Sequence, residues 1–105
     1  MEKILFKYKE FGMENGPSIK DYFSDTPHPN KSEIIKYLKN GTAILPASGY
    51  YDDIVTGQCT HITIAIMTDG EYDWLSVFPY YVEKYNLQLP EEFIRKIIVE
   101  RGSEN

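Results

Sequence analysis

The sequence predicts an α+β fold in which a small antiparallel sheet packs against about three helices, all within a single domain of residues 1–105. Ile62, Ile64 and Ile66 alternate along one segment, and β-branched side chains at every second position are typical of a strand. Asp69-Gly70 follows and is the strongest short hairpin signal in the chain. Three other segments repeat apolar residues at helical spacing. A chain of this length buries about 60–70% of its unfolded surface, which is enough for one core.

The N-terminal region predicts a short strand followed by loops. Residues 4–8 alternate in period two, which predicts an opening strand, with a short helix as the alternative. Residues 12–17 contain an Asn-Gly-Pro turn signal and are predicted to form a loop. A helical turn is expected over residues 18–23. The two prolines within residues 25–29 favour extended backbone, so this segment is also predicted to be a loop.

The first full helix is predicted after this loop. Asn30 is placed to cap it, and Glu33 lies at the reciprocal position of a capping box. Gly41 is placed to end the helix in a left-handed conformation. The apolar stripe of the helix consists of Ile34, Ile35 and Leu38.

The middle of the chain predicts the rest of the sheet. Residues 43–45 are expected to form a short buried strand, and residues 47–58 are the least regular stretch, with a further strand as an option at residues 54–55. After the Asp69-Gly70 turn, Tyr72 and Trp74 share one face of the returning strand.

Two helices are predicted to close the chain. Pro79 lies in the first turn of one, where apolar residues repeat at helical spacing. Pro90 begins the other, which has acidic residues in its first turn and basic residues later, an order that suits the helix dipole. The buried face of this last helix is predicted to contain Phe93, Ile94, Ile97 and Ile98.

Charge is distributed unevenly along the chain. The formal net charge is -5, and no lysine or arginine occurs between Lys39 and Lys84. A one-sided stretch of this kind projects negative potential, repels nucleic-acid phosphates and attracts a basic partner. An acidic surface without a specific partner is the alternative interpretation. The acids of this interval are Asp52, Asp53, Asp69, Glu71, Asp73 and Glu83.

Composition and motifs exclude several classes of protein. The single cysteine, Cys59, excludes an internal disulfide framework and, with no secretory signal segment, predicts a cytoplasmic protein. The longest apolar run, residues 62–67, is far shorter than a bilayer span, so no membrane is expected. The sequence lacks a glycine-rich phosphate loop and the CxxC, HExxH and GxSxG motifs. We therefore expect no catalytic residue, no metal and no cofactor.

Cys59 and His61 are the one pair that could carry chemistry. Two residues apart in a strand, they share a face at about 6–7 Å. A Cys–His dyad needs closer contact and a third group that orients the base. A structural thiol beside an ordinary histidine is therefore the favoured interpretation.

Aromatic residues beside acids predict a binding surface. Tyr50-Tyr51-Asp52-Asp53 falls in the irregular stretch, and Glu71 and Asp73 alternate onto the exposed face of a predicted strand. Rigid rings surrounded by carboxylates suit the recognition of a basic protein. The predicted partner-binding residues are Tyr50, Tyr51, Asp52, Asp53, Glu71 and Asp73.

The C-terminal third contains turn, aromatic and proline positions in a characteristic order. They are Thr68-Asp69-Gly70, Trp74, Pro79-Tyr80-Tyr81-Val82, Tyr85, Leu87, Leu89-Pro90 and Phe93. In this order they resemble a family of small bacterial proteins encoded beside toxin genes, which look like immunity proteins of bacterial competition systems. Tyr72 and Leu75 depart from the pattern, where tryptophan and proline are common. The resemblance implies that the chain binds and neutralises a cognate toxin.

Three functions follow from these observations. The leading hypothesis is a non-enzymatic immunity protein that binds a basic toxin domain through an acidic, aromatic surface. A homo-oligomeric or scaffold protein-interaction module, a homodimer included, is the first alternative. A small enzyme that uses Cys59 and His61 is the least favoured of the three.

Overall fold

A four-stranded mixed sheet, with helices packed against it, organises the chain. The structure is a computed structural model that describes residues 3–103, with side chains up to residue 100. Its strands are β1 (Lys3–Ile4), β2 (Thr42–Ala43), β3 (Tyr50–Asp52), β4 (Cys59–Thr63), β5 (Ile66–Thr68) and β6 (Tyr72–Leu75). Its helices are α1 (Lys31–Lys39), α2 (Phe78–Tyr85) and α3 (Glu91–Ser103), with 3-10 turns at Lys9–Phe11 and Ile19–Tyr22. The predicted α+β class with three helices is confirmed for these residues.

The hairpin at Asp69-Gly70 forms as predicted. Strands β5 and β6 pair antiparallel, and Gly70 between them adopts a left-handed φ of 98°. The Asp69 carboxylate accepts hydrogen bonds from the backbone amides of Glu71 and Tyr72 at 2.9 and 2.7 Å. The turn therefore takes the form that its two residue types favour, a carboxylate that satisfies turn amides beside a glycine with positive φ.

The opening strand differs from its prediction in length and direction. It covers only two residues, and it pairs parallel to β6, with Lys3 beside Tyr72. The order across the sheet is β1-β6-β5-β2, while β3 and β4 form a separate antiparallel pair. The sheet is therefore mixed rather than wholly antiparallel. The sequence near β1 could not indicate this pairing, because about two thirds of the chain lies between β1 and β6.

Helix α1 is confirmed, but the capping interactions predicted at its two ends are wrong. Asn30 occupies the N-cap position, but its side chain makes no capping hydrogen bond. The backbone amide of Asn30 instead donates to Nδ1 of His28 at 3.0 Å. Asn40 closes the helix in a right-handed conformation, and Gly41 is not among the residues with positive φ.

Gly41 is required for a different reason. A Cβ at this position would lie 2.6 Å from Cζ2 of Trp74 and 3.2 Å from the carbonyl oxygen of Thr68. Trp74 is fully buried and its indole donates from Nε1 to the carbonyl of Leu38 at 3.1 Å, so the ring cannot easily move away. The glycine therefore lets the chain after α1 approach the core closely.

Replacing Gly41 with alanine will destabilise the protein by about 1–3 kcal/mol, because the added methyl group overpacks the Trp74 ring. Urea unfolding followed by far-UV circular dichroism measures the change. Thr42→Ala is the matched control, since Thr42 is exposed and its replacement should have little effect. An unchanged midpoint in Gly41→Ala would show that the ring does not restrict this position.

The core lies on the Trp74 side of the sheet. The rings of Tyr37 from α1 and Phe93 from α3 pack against Trp74, with centroids at 6.1 and 5.5 Å. Phe78 and Tyr81 extend this cluster into α2 and are likewise fully buried. Other fully buried members are Ile19, Leu38, Val77 and Ile97.

Three predicted elements or buried positions are wrong. Residues 43–45 are not buried, because β2 is an edge strand and Leu45 is 63% exposed. Residues 54–55 form a turn rather than a strand. Ile98 is 39% exposed on α3, so the buried face of that helix is narrower than its apolar pattern.

Candidate functional site

The predicted acidic face is not formed. Asp53 is fully buried and Asp73 is 8% exposed, so neither carboxylate is available to a partner. Glu71 is exposed but lies 3.8 Å from the ammonium of Lys3 and 3.0 Å from that of Lys96. Asp52 is exposed on β3. The structure therefore does not bring the predicted acids together on one solvent-facing surface.

The two predicted tyrosines lie at the start of β3 rather than in a loop. Tyr50 is 55% exposed and its ring approaches that of His61 edge-on at 5.8 Å. Tyr51 is half-buried, packs edge-on against Phe11, and has a pKa that burial raises. Tyr50 is therefore accessible to a partner, and Tyr51 is mainly a packing residue.

Asp53 joins the β3–β4 turn to α2. Its carboxylate accepts hydrogen bonds from the hydroxyls of Tyr80 and Tyr85, both at 2.7 Å. It also accepts from the backbone amides of Val55 and Thr56 at 2.7 and 3.1 Å. Burial alone would raise the pKa of this carboxyl, but the four hydrogen bonds outweigh it and hold the pKa well below its usual range. The residue predicted to bind a partner is thus an internal support.

The largely buried carboxylate of Asp69 connects the hairpin to α1 and α3. Besides the turn amides, its carboxylate accepts from the Tyr37 hydroxyl at 2.5 Å and from the Lys96 ammonium at 2.9 Å. Burial opposes ionisation, yet these contacts lower the pKa of Asp69 to about 2. Burial and the Asp69 carboxylate together raise the pKa of Tyr37. This anchor fixes α1 relative to the sheet.

Asp73 lies between two neighbouring strands on β6. It pairs with Ile4 of β1 and Thr68 of β5 in the sheet register. Among the described residues, its Oδ1 atom is buried and has no hydrogen-bond partner. The prediction that Asp73 alternates onto an exposed face is therefore wrong, because the strand is buried on both sides.

Cys59 and His61 lie closer together than an ideal strand would place them. Their Sγ and Nδ1 atoms are 3.9 Å apart, and the backbone amide of His61 points to the thiol at 3.4 Å. His61 also has a φ of 60°, a left-handed conformation that is uncommon for a residue other than glycine. Both side chains are exposed, and among the described side chains no carboxylate orients the imidazole. The geometry lacks the third group that a catalytic dyad needs.

A broad groove lies between α1 and α2. It has a volume of about 1290 Å³ and is open to solvent. One face of α1 and one face of α2 form its walls, and side chains of β4 and β5 contribute to its floor. The apolar part of its lining consists of Ile35, Leu38, Ile62, Met67, Pro79 and Tyr80.

The rim of the groove is cationic. Lys31, Lys36 and Lys39 line it from α1 and Lys84 lines it from α2, whereas Glu83 is the single acid among the lining residues. This concentration of lysine contrasts with the net charge of -5 of the whole chain. The structure therefore presents an apolar groove with a positive rim, whereas the sequence predicted a negative aromatic face formed by other residues.

The groove was missed because it depends on contact between distant elements. The lysines of α1 are visible in the sequence, with Lys39 one turn after Ile35 and three residues after Lys36. Nothing local indicates that α2 will lie beside this helix. Pairing α1 with α2 brings residues about fifty positions apart into contact, and only the folded chain shows it.

The described part of the chain lacks two other kinds of feature. Between residues 3 and 103, no helix is both long and apolar enough to cross a bilayer. Over the same residues, no group of three or more histidine, cysteine, aspartate or glutamate side chains is arranged to hold a metal ion.

No family model, no curated protein and no solved structure matches the chain.

Proposed function

We propose that this chain is a non-enzymatic protein-binding module and that a segment of its partner docks in the groove between α1 and α2. The immunity-protein role implied by the resemblance of residues 68–93 is the proposed biological setting, with a toxin domain as the partner. The observation that carries the proposal is the groove, which is large and open and combines an apolar floor with a charged rim.

The dimensions of the groove favour a protein segment over a small ligand. Pockets for small molecules usually enclose about 300–1,000 Å³ and surround most of the ligand. This groove is larger, at about 1290 Å³, and is open along one side. Apolar contact area surrounded by polar side chains is the usual anatomy of a protein interface. We infer that the groove takes one face of a partner, while the rest of that partner stays outside.

The floor of the groove supplies the apolar anchors. Leu38 is fully buried, whereas Ile35, Ile62 and Met67 are half-buried and keep part of their surface accessible. Half-buried apolar side chains in a concavity are suited to bury further surface on binding. A charge placed at Ile35 would therefore block an apolar partner without emptying the core.

Tyr50 and Asp52 remain proposed partner contacts outside the groove. Both are exposed on β3, and an exposed tyrosine beside a carboxylate can donate and accept hydrogen bonds at an interface. Of the six residues predicted from the sequence, Glu71 is also exposed, but its carboxylate already lies beside Lys3 and Lys96.

Suppression of toxicity tests the proposal. If the neighbouring gene encodes a large secreted protein with a variable C-terminal domain, that domain is expressed in a bacterial host, with and without the chain. Wild type should restore growth, Ile35→Arg should abolish the protection, and Val99→Arg should retain it, because Val99 is 69% exposed on α3 and does not line the groove. Circular dichroism confirms that both variants fold.

Two results would overturn the proposal in different ways. Failure of wild type to suppress any toxin domain encoded beside it would remove the immunity role. Undiminished protection by folded Ile35→Arg would show that the partner does not use the groove.

A self-associating module is a second candidate, favoured by the exposed edge of the sheet. Residues 42–50 are all exposed, and they include Ile44 at 39% and Leu45 at 63%. Apolar side chains along a free edge strand are a frequent site of association between copies. A dimer in light scattering that Leu45→Lys dissociates would favour this candidate over the groove.

A further inference from the structure

We propose that the partner segment that occupies the α1–α2 groove is an acidic amphipathic helix, whose carboxylates pair with Lys36 and Lys39 while its apolar face contacts Ile35 and Met67. This inference rests on the proposed function, since it names the chemistry of the partner at the same groove. It also reverses the charge of partner that the sequence alone predicts.

The lining of the groove has an excess of positive charge. Four lysines and one glutamate line the groove, in a chain with a net charge of -5. The field of the whole protein would disfavour an anionic partner, so a local cluster of lysines around an apolar floor is the feature that can reverse the preference there. A basic segment in the groove would bring like charges together and leave the lysines without counter-charges.

Two of the four lysines already make contacts within the protein. The Lys31 ammonium donates to the carbonyl of Glu83 and to Oδ1 of Asn86, both at 2.9 Å. Lys84 lies 3.5 Å from Asp53 and 3.1 Å from the Tyr80 hydroxyl. These two lysines therefore support the fold around the groove.

Lys36 and Lys39 are different. Both are exposed on α1, and among residues 3–100 neither ammonium makes a hydrogen bond or an ion pair. They are three positions apart, so they lie on one helix face within a single turn. Two free ammonium groups beside Ile35 form a matched pair of donors for two carboxylates.

The walls of the groove favour a helical backbone conformation in the partner. The walls of the groove are helix faces, whose backbone groups are already paired within α1 and α2. These helical walls offer an extended segment no strand edge with which to pair its own amides and carbonyls. A helix satisfies its backbone internally and presents carboxylates three or four residues apart, which is the spacing that Lys36 and Lys39 require.

A pair of designed peptides tests the inference. The probe is a short amphipathic helical peptide with a leucine face and glutamates elsewhere, and its matched control carries lysines in place of the glutamates. Each peptide is titrated into the full ¹⁵N-labelled chain, and amide shifts on α1 and α2 report binding. We expect the acidic peptide to shift these amides, and its affinity to fall as the salt concentration rises.

Charge reversal distinguishes a specific effect of Lys36 and Lys39 on binding from an effect of the net charge of the protein. The double variant Lys36→Glu with Lys39→Glu should weaken binding of the acidic peptide by about tenfold or more, because two attractions become repulsions. Lys9→Glu with Lys20→Glu makes the same change in net charge at exposed positions outside the groove and should leave binding nearly unchanged. Circular dichroism confirms folding of both variants.

The outcomes distinguish this inference from the proposed function. If the lysine peptide binds at least as tightly and Ile35→Arg abolishes its binding, the groove binds protein segments but the acidic class is wrong. If duplex DNA shifts the groove amides more strongly than the acidic peptide, the acidic helix is also wrong. If neither peptide shifts amides on α1 or α2, both the inference and the groove as docking site are overturned.

Discussion

Replacing Asp53 with alanine will lower the free energy of unfolding by about 3–5 kcal/mol, the range for removing one member of a buried charged network. Asp53 is fully buried, and its loss leaves the hydroxyls of Tyr80 and Tyr85 without their acceptor. The amides of Val55 and Thr56 lose theirs as well. Because a folded domain of this size is stable by about 5–15 kcal/mol, the variant should unfold at much lower urea concentration.

Asp52→Ala is the control for this prediction. Asp52 is the adjacent residue and is exposed, so its replacement should change stability by no more than about 0.5 kcal/mol. Equal losses in the two variants would show that the Asp53 carboxylate does not hold the turn to α2. Chemical denaturation with two probes, circular dichroism and tyrosine fluorescence, measures both variants.

The same carboxylate makes stability depend on acid. Hydrogen bonds hold the folded-state pKa of Asp53 below its usual value, and those around Asp69 lower its pKa to about 2. A depressed pKa contributes stability that is present above the unfolded value of about 3.9 and is lost as the pH falls below it. Wild type should therefore lose stability below about pH 4, and Asp53→Asn should lose less over that interval. Parallel acid profiles for the two proteins would contradict the assignment.

Elements dictated by neighbouring residues could be predicted from the sequence. The Asp69-Gly70 turn and the helices that begin near Pro79 and Pro90 form at the expected places. Their signals are local, since a glycine with positive φ or a proline in the first turn acts on adjacent backbone. Gly41 shows the limit of such signals, because its position after a helix suggested a cap whereas the Trp74 ring is what requires it.

The binding surface could not be predicted, because exposure is decided by distant contacts. An aspartate in an irregular acidic stretch is normally solvated. Asp53 is buried instead, because Tyr80 and Tyr85 from α2 supply two hydrogen bonds across a separation of about thirty residues. For the same reason nothing local in the sequence marks the lysines of α1 as the rim of a groove, since α2 completes it.

Asp69→Ala will produce the second large effect, a loss of about 2–4 kcal/mol, because four groups lose an acceptor. The Tyr37 hydroxyl and two turn amides would be left without their partner. Lys96 would keep one, since it also lies 3.0 Å from Glu71. This remaining ion pair is the reason to expect a smaller loss than in Asp53→Ala.

Asp69→Asn separates the charge of this anchor from its shape. Asparagine keeps one oxygen for the amides of Glu71 and Tyr72, but its NH₂ group cannot accept from Tyr37 or Lys96. The loss in Asp69→Asn should therefore be about half of that in Asp69→Ala, and urea unfolding measures both. Equal losses would mean that the turn amides contribute little and that the contacts to α1 and α3 dominate.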